Sequence, residues 1–234
     1  LDVGGVRADL PNGNTTERLA YALWTEAWSK ADLIINLHCN TRPDSLIYQS
    51  INVGNPKTKE RLEKMAKAFG VTTIVSDTPV REDAPPTLSN LAARKGIPVI
   101  LEELIDGRWI SEPSTSAGVR GVLNIMKVFN MIEGSPEPQA GFPIVPSVNR
   151  SYGIIRANRG GLIRLLKKPG DLIRQGEVLA EIYDLYGDVI EEVKMPVDGY
   201  VWAYPCGQSL GTSGSLQAVQ TGANIAYAFT HEEK

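Results

Sequence analysis

The chain has 234 residues, enough for one large domain or two small ones, and its 42% hydrophobic content supports a packed core. A formal net charge of −3 and a pI near 5.5 argue against nucleic acid as the main partner. No apolar run approaches the ~18–20 residues that span a bilayer, no secretory leader opens the sequence, and Cys39 and Cys206 lie too far apart to suggest a disulfide framework, so a reducing compartment, the cytoplasm, is expected.

Asn14-Thr15-Thr16-Glu17 reads as a helix start, with Asn14 as cap and Glu17 at the third position. Leu19, Leu23, Trp24, Ala27 and Trp28 then recur at helical spacing through about Ala31. Residues 32–37, Asp-Leu-Ile-Ile-Asn-Leu, form a buried strand that ends in the polar cluster His38-Cys39-Asn40-Thr41. A charged amphipathic helix is expected from about Lys57 to Phe69, stopped by Gly70. A β-branched strand follows over 71–75, then a loop over 76–86 rich in Pro, Asp and Thr. A short helix over 89–95 ends at Gly96, and the apolar strand 97–101 runs straight into Glu102-Glu103. A last helix spans 119–131, with Val122, Ile125, Met126 and Phe129 on one face. Alternating strands and helices imply an α/β fold, a parallel or mixed sheet covered by helices.

Residues 134–146 hold four prolines and two glycines and read as a linker. Beyond them the composition changes to short strands and glycine turns. A weak internal repeat matches Gly161, Gly170 and Gly176 to Gly199, Gly207 and Gly214 at an offset of 38 or 37 residues. Two such halves suit a small all-β sandwich or barrel. The division is therefore 1–147 for an α/β part and 148–234 for a β part.

Histidine occurs twice, and His231 sits in the terminal Thr-His-Glu-Glu-Lys segment. His38 stands where a strand meets its loop, the end at which parallel sheets place their chemistry, so it is a candidate metal ligand or general base. A core histidine with a satisfied hydrogen bond fits the same position. Glu102 and Glu103 are adjacent on a strand and face opposite sides, so at most one can point into a site with His38; a capping or salt-bridged carboxylate is the plainer use of either. Cys39 reads as a small buried thiol, with metal ligation the alternative. Lys194, in Val193-Lys194-Met195-Pro196, resembles the lysine of biotin or lipoyl carriers. The turn signal Tyr186-Gly187-Asp188 lies six residues earlier, however, so Lys194 belongs to a strand and an acyl or biotin carrier is disfavoured. The stretches Gly160-Gly161 and 211–214 precede neither a helix nor a Lys-Ser/Thr pair and read as β-turns.

Several segments, in order and spacing, resemble the succinylglutamate desuccinylase/aspartoacylase family. They are residues 14–23 followed by 31–38, Gly96-Ile97-Pro98-Val99-Ile100-Leu101-Glu102-Glu103-Leu104, Gly118-Val119-Arg120-Gly121-Val122-Leu123-Asn124, and the pattern from Gly160-Gly161-Leu162 to Gly187-Asp188 and Met195-Pro196-Val197-Asp198-Gly199. The resemblance covers nearly the whole chain from Asn14. It implies a zinc-carboxypeptidase-like fold: a mixed, mostly parallel sheet with helices on both faces, plus a small C-terminal β-domain. It also implies hydrolysis of the amide or ester of N-acyl amino acids or similar small molecules. In the family a His-x-x-Glu motif and a later histidine hold zinc, and His38 matches the later histidine. A catalytic glutamate follows a Pro-x-x-Thr-x-Glu-Leu-Gly strand; counting from Pro98, Glu103 matches it, with Leu101 in place of Thr and Ile105 in place of Gly. Zinc lowers the pKa of bound water toward ~7 and polarises the scissile carbonyl, and the carboxylate moves the proton. Acyl amino acids carry carboxylates, and Arg42 is the best-placed arginine to bind one in a bidentate manner, a loop arginine being the alternative.

The sequence departs from the family at its start. No histidine precedes His38, and the family's Asp-Leu-Asn-Arg-x-Phe-Pro-Gly segment is blurred into Val6-Arg7-Ala8-Asp9-Leu10-Pro11. Two expectations follow: a zinc deacylase of which this chain, beginning at Leu1, lacks the first strands, or a non-catalytic binding or regulatory homologue on the same fold. The first leads to weak zinc binding by this chain and a small acyl amino acid as partner.

Overall fold

The computed structural model describes residues 5–39, 44–105, 110–145, 150–205 and 217–231. In chain order its first part holds α1 (Thr15–Glu26), β1 (Ile34–Cys39), β2 (Asp44–Ser45), β3 (Tyr48–Asn52), α2 (Pro56–Phe69), β4 (Thr72–Ser76), α3 (Leu88–Lys95), β5 (Val99–Leu104) and α4 (Glu112–Val128). The remainder among the described residues is strands: β6 (Arg150–Arg156), β7 (Gly161–Leu165), β8 (Leu172–Ile173), β9 (Val178–Tyr183), β10 (Val189–Lys194), β11 (Gly199–Tyr204), β12 (Gln217–Val219) and β13 (Asn224–Thr230).

Local chemistry explains where the helices begin and end. The Asn14 side chain accepts from the Thr16 and Glu17 backbone N–H groups at 3.0 and 3.1 Å, while Glu17 accepts from the Asn14 N–H at 2.8 Å, a reciprocal cap. Asn14→Ala is expected to cost about 1 kcal/mol, read as a lower unfolding midpoint with α1 helicity reduced by circular dichroism. Gly70 and Gly96 close α2 and α3 in the left-handed conformation, at φ 83° and 76°. Helix α4 begins at Glu112, seven residues before the expected Val119. Pro113 is tolerated in the first turn, where its missing N–H costs nothing. The small residues behind it also have a packing purpose: a Cβ on Gly121 would lie 2.4 Å from the Phe69 ring, so α4 can approach α2 only with glycine there.

The first sheet has the order β1-β5-β3-β4. β1 pairs with β5 and β3 with β4 in parallel, whereas β3 and β5 run antiparallel. One face carries Ile51, Ile100 and Leu104 onto Leu62, Met65 and Phe69 of α2 and Ala117 and Ile125 of α4. On the other face Ile34 and Ile97 pack with Ala92 of α3, and Trp24 and Trp28 lie against them. β3 is an element the sequence does not announce: its apolar residues, Tyr48 and Ile51, are three apart and face opposite sides, so the strand lacks the alternation that would mark it.

Two further sheets, β10-β9-β7-β12 and β2-β11-β13-β6 with β8 against β11, enclose a core that includes Ile163, Ile173, Leu179, Ile182, Val201 and Ile225. The first part reaches into them. β2 pairs with β11, and the Leu46 N–H donates to the Trp202 carbonyl at 2.8 Å. A shared cluster joins Leu46, Tyr48 and Val145 to Trp202, Ala203 and Phe229. The expected linker is strapped to the first part along its described length. Asn124 and Glu137 exchange two hydrogen bonds, Gln139 donates to the Phe69 and Ala117 carbonyls, and the Val145 N–H donates to Thr72.

Candidate active site

β1 and β5 are short apolar strands whose parallel register places His38 opposite Glu103. Alternation then decides the directions. His38 and Glu103 share one face, and Leu37, Glu102 and Cys39 share the other. His38 Nδ1 lies 3.9 Å from Glu103 Oε1, and the two side chains are 32% and 19% exposed. That separation is too long for a direct hydrogen bond. A basic nitrogen and a carboxylate, both partly open to solvent at the carboxyl ends of neighbouring parallel strands, can hold a water between them and move its proton.

The third wall comes from residues that sequence reasoning missed. Tyr48 on β3 is the register partner of Glu103 on its other side. Its ring meets Trp202 edge-on at 4.8 Å and lies 6.4 Å from Phe229, so the β part supplies aromatic backing beside the carboxylate. Only the fold brings residues 48 and 202 together, and no local pattern marks Tyr48 for this position.

The other candidates lie elsewhere. Glu102 is fully buried on the opposite face, neither capped nor salt-bridged: both its carboxylate oxygens lack a hydrogen-bond partner among the described residues. Cys39 is exposed, which corrects the expectation of a buried thiol: among the described strands β1 lies at the edge of its sheet, and Cys39 ends it. Arg42 and Cys206 lie outside the described residues. Lys194 is a strand residue paired with Glu192 at 3.1 Å on an exposed face, and the β9–β10 turn falls before it. His231 packs edge-on against Tyr200 at 5.5 Å in the β part. Among the described residues no group of three His, Cys, Asp or Glu side chains could hold a metal ion. Nor, among them, is any helix long and apolar enough to cross a membrane.

No family model matches the sequence. A curated relative, the N-alpha-acetyl-L-2,4-diaminobutyric acid deacetylase of Halomonas elongata, is 24% identical over 177 residues, which are 75% of this chain and 51% of that protein. Among solved structures, a succinylglutamate desuccinylase/aspartoacylase from Rhodobacter sphaeroides superposes with a TM-score of 0.70 at 23% identity, covering 96% of this chain and 66% of that one. The apo ectoine utilization protein EutE of Ruegeria pomeroyi superposes with a TM-score of 0.75 at 17% identity, covering 97% and 69%. The chain thus spans about half the length of the curated relative and about two thirds of these solved ones. The motif resemblance and the structural likeness agree: this chain has the fold of the succinylglutamate desuccinylase/aspartoacylase proteins.

Proposed function

We propose that this chain carries the His38–Glu103 part of a deacylase site that hydrolyses the amide of N-acyl amino acids. The observation that carries the reading is the register of β1 and β5, which sets an imidazole and a carboxylate side by side at a strand end of a fold shared with a desuccinylase/aspartoacylase. The deacetylase name of the curated relative supports the same reaction class. In this reading Glu103 is the general base. Its carboxylate takes a proton from the attacking water and returns it to the leaving nitrogen, so that the C–N bond breaks as a neutral amine departs. Arg42 is proposed to bind the substrate carboxylate.

Zinc is proposed as the metal of the assembled site, with His38 as one ligand. The donors of the described residues do not fit a complete zinc site: they offer one imidazole beside one carboxylate, short of the three protein ligands a catalytic zinc takes. No step is therefore derived through the metal. The present chain is expected to bind zinc weakly, and His38→Ala to remove what binding there is. Metal analysis after dialysis checks this; tight, stoichiometric zinc in this chain would overturn it. The deacylase reading is tested by supplying a zinc-loaded longer form of the protein, one that carries the remaining ligands, with N-acetyl and N-succinyl amino acids and measuring free amine. Turnover that disappears in His38→Ala supports it. Retained binding of such compounds with no amine released from any of them favours a non-catalytic homologue on the same fold.

A further inference from the structure

Glu102 is fully buried on the sheet face that packs against α2 and α4. Neither of its carboxylate oxygens has a hydrogen-bond partner among the described residues. Directly across the β3–β5 ladder is Gln49, also fully buried. Its amide nitrogen donates to the Ala66 carbonyl and to Thr73 Oγ1, both at 2.8 Å. Its oxygen, Oε1, has no partner among the described residues. Three orphan acceptors therefore stand on opposed positions of one buried face, with no donor for any of them among the described residues. Cross-strand side chains of an antiparallel pair lie about 4.5–5.5 Å apart at Cβ, within reach of each other for two residues of this length. Burying an unpartnered ionised carboxylate is far more costly than burying a neutral acid.

We infer that Glu102 is a neutral carboxylic acid in the folded protein, donating its proton to Gln49 Oε1 and so clamping β5 to β3 at the strand end that carries Glu103. One proton supplies a donor where there was none: it bridges one Glu102 oxygen to Gln49 Oε1 and leaves the other as the carbonyl of a neutral acid, far cheaper to bury than a carboxylate. Among the described residues, no charged group faces Glu102. β3, α2 and α4 present Ile51, Leu62, Met65, Phe69, Ala117 and Ile125, and the titratable group on the same face of β1 is Cys39, exposed at its end. Burial alone pushes the Glu102 carboxyl well above its ordinary value, with no charged neighbour contributing. Glu102 is thus a positioning residue: it acts on the site through the strand it shares with Glu103. The inference goes beyond the deacylase reading and does not depend on it.

The sign of the pH effect follows. A carboxyl whose folded pKa is raised keeps its proton after the unfolded chain has lost its own, so its contribution to stability is lost as pH rises from the ordinary value of 4.5 through the raised one. In Glu102→Gln the amide supplies the donor permanently. The unfolding equilibrium constant of wild type relative to Glu102→Gln should therefore rise by about tenfold per pH unit above ~4.5, then level off. Wild type should also show a protonated-carboxyl C=O stretch by infrared spectroscopy at neutral pH, absent from Glu102→Gln. Neither readout uses metal or substrate, so failure here is separable from failure of the deacylase reading. A ratio that stays flat with pH overturns the inference. So does a wild-type spectrum without the band, a measurement that stands even if the variant does not fold.

Discussion

In a longer form of the protein that supplies the remaining zinc ligands, Glu103→Gln is expected to keep the metal and lower the hydrolysis of N-acyl amino acids by about 10²–10⁴-fold while leaving the fold intact. The substitution keeps the size and shape of a side chain that is 19% exposed, so packing around Tyr48 and His38 is preserved. It removes the one property the proposed mechanism needs, a carboxylate able to accept a proton from water. The loss should be in kcat rather than KM, because the proton moves in the transition state and not on binding. Steady-state kinetics together with a circular dichroism spectrum check it. Near-normal turnover in Glu103→Gln would remove this residue from the base role. Glu102→Gln is the internal control for register: it should act on stability and its pH dependence, since its side chain faces the α2–α4 core.

Trp202→Ala is expected to destabilise the protein by about 3–5 kcal/mol. The Trp202 ring is 8% exposed and stacks on Tyr227 at 4.9 Å and on Phe229 at 5.7 Å, with Tyr48 meeting it edge-on. Removing it leaves a cavity where β3 of the first sheet meets β11 and β13, a junction held by Leu46, Tyr48 and Val145 on one side. Tyr48 also stands beside Glu103, so the loss should reach the site and lower activity at temperatures where the protein is still folded. Trp202→Phe keeps an aromatic ring in the stack and should cost less. Denaturant unfolding of the three proteins checks the order. A change below about 1 kcal/mol for Trp202→Ala would mean that the junction contributes little to stability.

The features legible from sequence were those whose physics is local. The cap at Asn14, the stops at Gly70 and Gly96, strand β1 and the run into Glu102-Glu103 each depend on a few neighbouring residues. Alternation along β5 was enough to say that Glu102 and Glu103 face opposite ways, and the count from Pro98 chose the one that faces His38. The start of α4 was hidden because Pro113 and the small residues after it look like loop; their suitability appears only when α4 lies against Phe69. Residues 134–145 read as linker because proline disfavours helix and strand, yet their hydrogen bonds go to α2, α4 and β4, which no local pattern reports.

By itself, the sequence determined the α/β character and the parity that separates Glu103 from Glu102, because these rest on periods of 2 and 3.6 residues and on turn chemistry; the strands run on past the expected ends, β1 closing at Cys39 and β5 at Leu104. Tertiary structure decided the rest. It set β5 between β1 and β3, drew β2 into the sheet of β11, β13 and β6, brought Trp202 to Tyr48, and left Cys39 open at a sheet edge. The reason is that strand order and register are chosen by contacts between residues far apart in the chain, here His38 with Glu103 and Gln49 with Glu102, and no short window contains both partners.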